Sequence, residues 1–402
     1  MRLLHTSDWH LGRTLHGFSL GDAQAAAVDA IVATAIEREV DVFVIAGDVF
    51  DRAVPPVEAL RVLNEALVRL AAAGIAVVVV AGNHDSGERL GTYAGLLQDG
   101  VHIVGSARVP AVIELADEHG PLAIYPLPYL DPDVARLELG AAGEPLERSH
   151  EAVVRAALDR ISADLVERDS PRAIVVGHAF VVSSANTSGE AAVDAATDLS
   201  ALTSESEHDL TVGGVQVVPA SAFEGRGLSY VALGHLHRPQ RVRAAETVMA
   251  YSGSLLRYSL SEAGHDKTML IVDIGAPGTV PTLESVPVRQ ARGMARLVDT
   301  IDNLIGERHA DHRDDFVELV VTDDAYPERM HARLDAVFPY ALVKRHQPVA
   351  TATPTGSGRG DARGREPLDV MSDFLRKVTG REPSHAERAV LRAAYESVRT
   401  GA

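Results

Sequence analysis

The chain has 402 residues, of which 46% are hydrophobic and 23% charged, with a formal net charge of -18. A chain of that length can bury a hydrophobic core without disulfide cross-links and can form two or three structural units. The lack of cysteine excludes disulfides, zinc–thiolate sites, iron–sulfur clusters and a cysteine nucleophile. The acidic balance argues against a pure DNA-binding module, although bound cations or a local basic patch would offset it.

The apolar runs are short, and the chain becomes polar soon after it begins. No run approaches the roughly 20 residues that cross a bilayer. Polar and ionisable residues such as His5, Asp8 and His10 come almost at once, which leaves no room for a signal peptide. We therefore expect a soluble, cytoplasmic protein without membrane contact, and the lack of cysteine agrees with a reducing compartment.

Strands and helices alternate in the first part of the chain. Residues 2–6, 42–46 and 75–81 are near-continuous apolar runs, which are typical of strands in a sheet that is covered on both faces. Amphipathic stretches at 22–38 and 56–73 lie between these runs and predict helices. Further strands are predicted at 173–176, 230–233, 268–274, 282–288 and 316–321.

The remainder of the chain predicts smaller units. A Ser-, Ala-, Thr- and Glu-rich stretch at 185–208 reads as a loop or insertion. Ser384 and Glu387 form a capping box that begins the last helix. The predicted units are a main α/β domain at 1–288, a small α/β capping domain at 289–347, a flexible linker at 348–366 and a helical pair at 367–400.

Five predicted strands run directly into polar clusters. In chain order the clusters are Asp8-Trp9-His10, Gly47-Asp48, Gly82-Asn83-His84-Asp85, Gly177-His178 and Gly234-His235-Leu236-His237. Open α/β sheets bind their ligands just past the carboxyl ends of strands. Oxygen and imidazole nitrogen donors suit Mn²⁺, Fe²⁺ or Zn²⁺ better than Ca²⁺. Two such ions roughly 3.5–4 Å apart activate a water and stabilise displacement at phosphorus, and the Asp after a Gly is well placed to bridge them.

The order of these five clusters resembles the calcineurin-like metallophosphoesterase superfamily, and the whole set is far more specific than any one motif. The resemblance implies a two-sheet α/β sandwich flanked by helices. Longer stretches narrow it to the SbcD family, the nuclease subunits of bacterial SbcC–SbcD complexes among the Mre-type DNA repair nucleases. These stretches are 5–12, 47–56, 233–240, 251–255 and 261–267.

The resemblance also implies roles for individual residues. One metal would be held by Asp8, His10, Asp48 and His237, and a second by Asp48, Asn83, His178 and His235. His84 would stabilise the transition state and protonate the leaving oxygen as a general acid, and Asp85 would orient it. Asp51 and Arg52 lie in a loop that faces nucleic acid in the family, and a structural role is equally open for both.

The function that the resemblance implies is a Mn²⁺-dependent DNA nuclease of repair and recombination. It would act as an exonuclease on duplex ends and as an endonuclease on hairpins and single strands. The expected assembly is a homodimer joined to an SbcC-type ATPase in a heterotetramer, with the helical pair on the partner's coiled coil. None of the three lysines follows a glycine, so the chain lacks a phosphate-binding Gly-Lys motif and ATP dependence must come from the partner.

Two other functions stay open at this point. A small-substrate metallophosphodiesterase or protein phosphatase would use the same ligands, but the capping domain and the helical pair argue against it. A non-catalytic scaffold at DNA ends would have no reason to keep His84 and every ligand. His5, within the first strand, is expected to be a hydrogen-bonded core histidine, and the 185–208 stretch is longer than the family core requires.

Overall fold

A computed structural model describes most of the chain, in two compact units, Met1–Pro348 and Val349–Ala402. The described residues are 1–97, 100–106, 111–140, 144–168, 172–183, 217–348 and 367–400. The predicted insertion at 185–208, and all of the predicted linker except residue 348, lie outside them. Within these ranges, the helices are all too short or too polar to cross a membrane.

The first unit contains a six-stranded sheet with a parallel centre. In spatial order its strands are β16 (Thr282–Pro287), β15 (Thr268–Asp273), β1 (Arg2–Thr6), β4 (Val42–Ala46), β5 (Ala76–Val80) and β6 (Val101–Val104). The four strands from β1 to β6 are parallel, and β15 and β16 are antiparallel additions to one edge. Every predicted strand of this sheet is therefore present.

A second six-stranded sheet also has a parallel centre. Its strands, in spatial order, are β13 (Gln240–Val242), β14 (Val248–Tyr251), β12 (Tyr230–Gly234), β9 (Ala173–His178), β8 (Gly120–Leu127) and β7 (Ile113–Asp117). The four central strands are parallel, and an antiparallel strand closes each edge. The carboxyl ends of the parallel strands therefore lie at one edge in each sheet.

The two sheets pack face to face, because alternate residues of each central strand point to opposite faces. Val42, Val44 and Ala46 of β4 join the core between the sheets, which also contains Ile174 and Val176 of β9. The intervening residues of β4 point outward to a second core beneath helices. The continuous apolar runs are thus buried on both faces, as the sequence predicts.

Helices cover the outer face of each sheet. Those of the main domain are α1 (Gly21–Glu37), α2 (Val57–Ala72), α3 (Gly87–Leu90), α4 (Pro132–Leu139) and α5 (His150–Arg168). The first sheet packs against α1 and α2, and the second against α4 and α5. In α2 the buried residues Ala59, Leu63, Ala66 and Leu70 recur at helical spacing. The predicted two-sheet sandwich flanked by helices is confirmed.

A smaller parallel sheet completes the first unit. Its elements are β17 (Met294–Asp299), β18 (Phe316–Val321) and β19 (Ala341–His346), with helices α6 (Ile301–Ile305) and α7 (Met330–Asp335). These elements enclose a core of their own around Leu304, Leu319 and Phe338. They form the small α/β capping element, and the domain limits set at 288 and 347 stay a prediction.

Short elements connect these layers. A hairpin is formed by β2 (Thr14–Leu15) and β3 (Phe18–Ser19), and a parallel pair by β10 (Phe180–Val182) and β11 (Val217–Pro219). Turns of 3₁₀ helix lie at Ala94–Leu96, Ala220–Ala222, Leu260–Glu262 and Glu307–His312. The turn at Leu260–Glu262 carries the buried acid Glu262.

The second unit contains a helical pair, α8 (Pro367–Thr379) and α9 (His385–Thr400). The predicted capping box is present: the Glu387 backbone N–H donates to Ser384 Oγ at 3.3 Å, and the Ser384 backbone N–H donates to Glu387 Oε2 at 2.8 Å. Phe374 and Val390 are exposed within this unit.

Candidate metal centre

The sandwich brings all seven predicted metal ligands together at the carboxyl ends of five strands. Three of these strands belong to the first sheet and two to the second, so neither sheet forms the site alone. Asp8 and His10 follow β1, Asp48 follows β4, Asn83 follows β5, His178 ends β9, and His235 and His237 follow β12. The site is therefore a product of the packing of two sheets whose strands lie far apart in sequence.

One half of the centre is formed by His10, His237, Asp48 and Asp8. The Nε2 atoms of His10 and His237 lie 3.1 Å apart, and His10 Nε2 lies 3.6 Å from Asp48 Oδ2. Asp8, His10 and His237 each direct a ligand atom to one point, all within 4.8 Å of one another. Their side chains are buried. Buried carboxylate and imidazole donors that converge in this way fit a divalent cation.

The other half shares Asp48 and adds His178, Asn83 and His235. Asp48 Oδ2 lies 3.5 Å from His178 Nε2. The Asn83 side-chain oxygen lies 2.9 Å from His178 Nε2 and 3.0 Å from His235 Nδ1. Asp48 thus contacts an imidazole in each half through one oxygen, which is the arrangement that a bridging carboxylate requires.

The backbone at these positions is strained. Positive φ angles occur at Asp8 (52°), His10 (44°), Asp48 (49°) and His235 (108°), four of the seven such non-glycine residues in the described ranges. Hydrogen bonds between loops hold them there, for example from the His10 N–H to the Asp48 carbonyl at 3.0 Å. Strain of this kind costs about 1–3 kcal/mol per residue and persists where the surrounding contacts hold the backbone in that conformation. The fold therefore stabilises a preorganised cluster of donors.

Glycines at the strand ends provide the space that the ligands occupy. A Cβ on Gly47 would lie 2.2 Å from His178 Nδ1, and a Cβ on Gly82 would lie 2.1 Å from Asp48 Oδ1. Gly47 also has a φ of 88°, which favours glycine. The recurring Gly before a ligand in the sequence thus has a steric cause at both positions.

The electrostatics of the centre separate His178 from the other imidazoles. Burial lowers the pKa of His178, but the charge and hydrogen bond of Asp48 more than offset this and raise it to about 9. Burial lowers the pKa of His235 to about 3 and that of His10 well below its usual range. His10 and His235 are therefore neutral and hold a lone pair ready for a cation, whereas His178 must first release a proton.

The two carboxylates differ as well. Burial raises the pKa of Asp8, although the charges of His178 and His237 oppose this. For Asp48 the opposing charges of His178 and His10 outweigh burial and hold the pKa below its usual range. The Asp8 oxygens accept from the His235 backbone N–H at 3.0 and 3.1 Å, which fixes the position of the carboxylate. A bound cation would stabilise its charged form further.

His84 lies at the rim of the centre. Its backbone N–H donates to Asp48 Oδ1 at 2.8 Å, and its ring Nδ1 lies 3.0 Å from the Asp51 carbonyl oxygen. The ring packs edge-on against His10, with 4.7 Å between centroids. Because a carbonyl oxygen only accepts, Nδ1 carries the proton and Nε2 is the atom left for exchange.

Asp85 acts on the backbone rather than on the His84 ring. Its carboxylate accepts from the N–H groups of Val49 and Phe50 at 3.0 and 2.9 Å and from that of Gly82 at 2.9 Å. Burial, with the charge of Asp48, raises the pKa of Asp85 to about 6. The sequence assigned the orienting of His84 to Asp85, whereas the structure gives the ring contact to Asp51.

Asp51 and Arg52, predicted to face nucleic acid, lie in different surroundings. Asp51 Oδ1 accepts from the Arg13 guanidinium at 3.3 Å and lies 3.8 Å from His10 Nδ1. Its carboxylate would repel a phosphate, so this geometry favours a structural role for it. Arg52 is exposed.

Two residues without an assigned role in the sequence lie directly behind His237. The Glu262 carboxylate lies 3.1 Å from His237 Nδ1, and the Lys267 ammonium donates to it at 2.6 Å. Burial raises the pKa of Glu262, but His237 and Lys267 outweigh this and hold it well below its usual range. The 261–267 stretch is polar and looks like a surface loop, so no local signal marks its burial.

Comparison with known families agrees with this geometry. Residues 1–239 match the family described as calcineurin-like phosphoesterase, and residues 288–379 match one described as type 5 capsule protein repressor C-terminal domain. The first match spans more than half of the chain. The chain therefore belongs to the calcineurin-like phosphoesterases, a family of hydrolases.

Curated relatives narrow the assignment. The SbcD subunit of the SbcCD nuclease of Bacillus subtilis (strain 168) is 35% identical over 303 residues, or 74% of this chain and 72% of that protein. The protein of the same name from Rhodobacter capsulatus is 32% identical over 358 residues, or 84% of each chain. Within the phosphoesterases, the chain is thus a member of the SbcD family. A solved dimetal phosphatase from Danio rerio matches with a TM-score of 0.42 at 12% identity, over 72% of this chain and 99% of its own.

Proposed function

We propose that the chain is a DNA repair nuclease that acts with an SbcC-type ATPase. The observation that carries this proposal is the buried cluster of carboxylate, imidazole and amide donors where the two sheets meet, in a chain whose relatives are named as nuclease subunits. Its substrates would be duplex ends, hairpins and single strands of DNA. Chromosomal DNA as substrate implies action in the cytoplasm, in repair and recombination.

The centre would hold two divalent cations. Asp8, His10, Asp48 and His237 would bind one, and Asp48, Asn83, His178 and His235 the other. A mixed set of oxygen and nitrogen donors supports Mn²⁺. Bound cations at such a site lower the pKa of water and offset the charge that develops on a phosphodiester.

His84 would be the general acid of this reaction. Its Nδ1 proton is engaged by the Asp51 carbonyl, so Nε2 is the position from which a proton can pass to the leaving oxygen. The backbone hydrogen bond from His84 to Asp48 fixes the residue to a metal ligand. Asp85 would support it indirectly, by tying the 82–85 loop to the loop after β4.

The DNA backbone would be held beside the centre by exposed basic side chains. Arg52 is the candidate phosphate contact. Asp51 is better explained by its contacts with Arg13 and His10. With a net charge of -18, a single chain has little nonspecific attraction for DNA. A basic partner would therefore contribute to the binding of DNA.

Two surfaces support the proposed assembly. Val57, Leu60 and Val68 are exposed on one side of α2, next to exposed Val54. Exposed apolar side chains on one side of a helix suit a homodimer contact, and the exposed Arg61 and Asn64 among them would contribute polar contacts. The helical pair, with exposed Phe374 and Val390, would bind the coiled coil of the ATPase in a heterotetramer.

The first test is cleavage of linear duplex and hairpin DNA with Mn²⁺ or EDTA, for the wild type, His84→Gln and His119→Gln. His119 lies in the exposed turn between β7 and β8 and serves as the matched control. We expect Mn²⁺-dependent cleavage by the wild type and the control, and a loss of about 10²–10⁴-fold in His84→Gln without loss of bound Mn²⁺. Turnover of a small phosphodiester with no cleavage of DNA, alone or with the ATPase, would favour the small-substrate enzyme.

A further inference from the structure

A charged pair is buried behind the metal centre. The side chains of Glu262 and Lys267 are both 0% exposed, and their charged atoms are 2.6 Å apart. Burying two charges is unfavourable unless each is paired and its remaining hydrogen-bonding positions are satisfied. A pair of well-packed apolar residues in the same place would stabilise the core at least as much as the charged pair does. The pair therefore calls for an explanation beyond stability.

The contacts of this pair meet at His237. Glu262 Oε1 lies 3.1 Å from His237 Nδ1. The Lys267 ammonium donates to Glu262 Oε2 at 2.6 Å, to the His237 carbonyl oxygen at 2.9 Å and to Ser254 Oγ at 2.7 Å. Three acceptors thus match the three donors of an ammonium group. The pair holds both the ring and the backbone of His237.

We propose that Glu262 and Lys267 form a clamp that holds His237 in the tautomer with a proton on Nδ1 and a lone pair on Nε2. A carboxylate paired with lysine only accepts, so the proton between Oε1 and Nδ1 belongs to the ring. Nε2 then faces the metal centre unprotonated, 3.1 Å from His10 Nε2. The inference rests on the proposed function, because it assumes that the centre binds metal.

Carboxylates that accept from the second nitrogen of a ligand histidine fix its ring and raise its basicity, and their loss costs roughly 10–100-fold in metal affinity. Here the lysine adds a further constraint. It requires an acceptor at the Oε2 position, which leaves Oε1 for His237 and for the Ser259 hydroxyl, which donates to it at 3.1 Å. Both residues act through His237 and are positioning residues.

Glu262→Gln tests the direction of the hydrogen bond. A glutamine has one acceptor and one donor group. Lys267 requires the oxygen on its own side, so the amide NH₂ faces His237 Nδ1. The ring must then place its proton on Nε2, pointing into the metal centre. We expect the affinity of one of the two Mn²⁺ sites to fall roughly 10–100-fold, while the other changes little.

The double variant Glu262→Gln/Lys267→Met separates the clamp from mere packing. The ammonium donates to Oε2 at 2.6 Å and the Tyr258 backbone N–H donates to the same atom at 3.3 Å. Without the ammonium only the longer of these bonds holds the glutamine oxygen there, so the oxygen can turn toward His237 and accept from Nδ1 again. Affinity at the weakened site should therefore recover at least partly. If Glu262 and Lys267 served only the stability of the core, the second change would add to the damage of the first.

The experiment is a calorimetric Mn²⁺ titration of the full chain, with electron paramagnetic resonance to distinguish a coupled metal pair from single ions. Glu318→Gln is the matched control, because Glu318 is a buried acid in the capping sheet that pairs with Arg296 and Arg345. We expect two sites in the wild type and the control, one weakened site in Glu262→Gln, and recovery in the double variant.

Each result has a distinct meaning. A wild type that binds fewer than two Mn²⁺ ions overturns the proposed metal centre, and the clamp with it. Two normal sites in Glu262→Gln, or still weaker binding in the double variant, overturn the clamp alone. If Glu262→Gln fails to fold, Glu262→Asp is titrated instead. Its shorter side chain withdraws the carboxylate from His237, and unchanged affinity would overturn the clamp.

Discussion

Gly82 leaves the space into which the Asp48 side chain fits, and a single methyl group should disrupt the centre. A Cβ at this position would lie 2.1 Å from Asp48 Oδ1 and 2.2 Å from the Asp48 backbone nitrogen. Gly82 has little freedom to withdraw, because its own N–H donates to Asp85 at 2.9 Å. The substitution Gly82→Ala therefore acts directly on the proposed bridging ligand.

The size of the effect follows from these distances. Real Cβ contacts essentially never fall below 3.0 Å, so Asp48 and Gly82 must separate by about 0.9 Å. A displacement of about 1 Å at a catalytic group costs roughly 100-fold in rate. Overpacking costs about 1–3 kcal/mol of stability. We expect kcat/KM for Mn²⁺-dependent DNA cleavage to fall roughly 100-fold in Gly82→Ala, with weaker Mn²⁺ binding.

Gly177→Ala is the control, because Gly177 also precedes a proposed ligand. A Cβ there would meet nothing closer than 3.8 Å, which is ordinary contact. We expect unchanged cleavage and a free energy of unfolding that is unchanged or higher by up to about 1 kcal/mol. Cleavage kinetics and urea unfolding of both variants decide the matter. Equal losses in the two, or full activity in Gly82→Ala, would refute the steric reasoning.

Three further changes test other parts of the molecule. Burial lowers the pKa of His5 to about 3 from 6.5, so the unfolded chain binds the extra proton between these values and stability is lost as the pH falls below 6.5. His5→Gln should remove about 2 kcal/mol of the difference in unfolding free energy between pH 7.5 and pH 5. If urea unfolding gives the same pH-dependent difference for the wild type and for His5→Gln, the prediction is wrong. Deletion of the residues after 366 should abolish binding of the ATPase partner and spare basal DNA cleavage, and co-purification of the shortened chain with the partner would rule that out. Leu60→Lys with Val68→Lys should give a monomer in sedimentation, because two charges on the exposed face of α2 oppose its burial; an unchanged mass would remove α2 from the dimer contact.

The position of His5 explains why a core histidine carries this pH dependence. Its Nδ1 lies 2.9 Å from the Tyr230 hydroxyl, between the first and second sheets, and the ring is fully buried. The predicted hydrogen-bonded core histidine is thus present. A charge there has no carboxylate to pair with among the contacts of its ring, so protonation favours the unfolded chain.

The sequence by itself determined the central strands and the residues at their ends. Continuous apolar runs such as 42–46 are typical of parallel strands that are buried on both faces, and the observed β4 has the same limits. The Gly-Asp and Gly-His clusters could be recognised because each lies within a few residues of such a strand. Strands with weaker patterns, such as β7 and β8 of the second sheet, were not located from the sequence.

The family resemblance implied the two ligand sets, but only the tertiary structure decided the contacts between the ligands. Asp48 contacts His10 from one sheet and His178 from the other, and loops distant in sequence carry no local signal of that contact. Asp51, left open between a DNA contact and a structural role, accepts from the Arg13 guanidinium through its carboxylate and contacts the His84 ring through its carbonyl oxygen. Glu262 and Lys267 look like solvated loop residues until the fold buries them behind His237. The position of a strand can be predicted from the local pattern of apolar residues. The contacts between side chains of different sheets depend on how the sheets pack, and that packing depends on the whole chain.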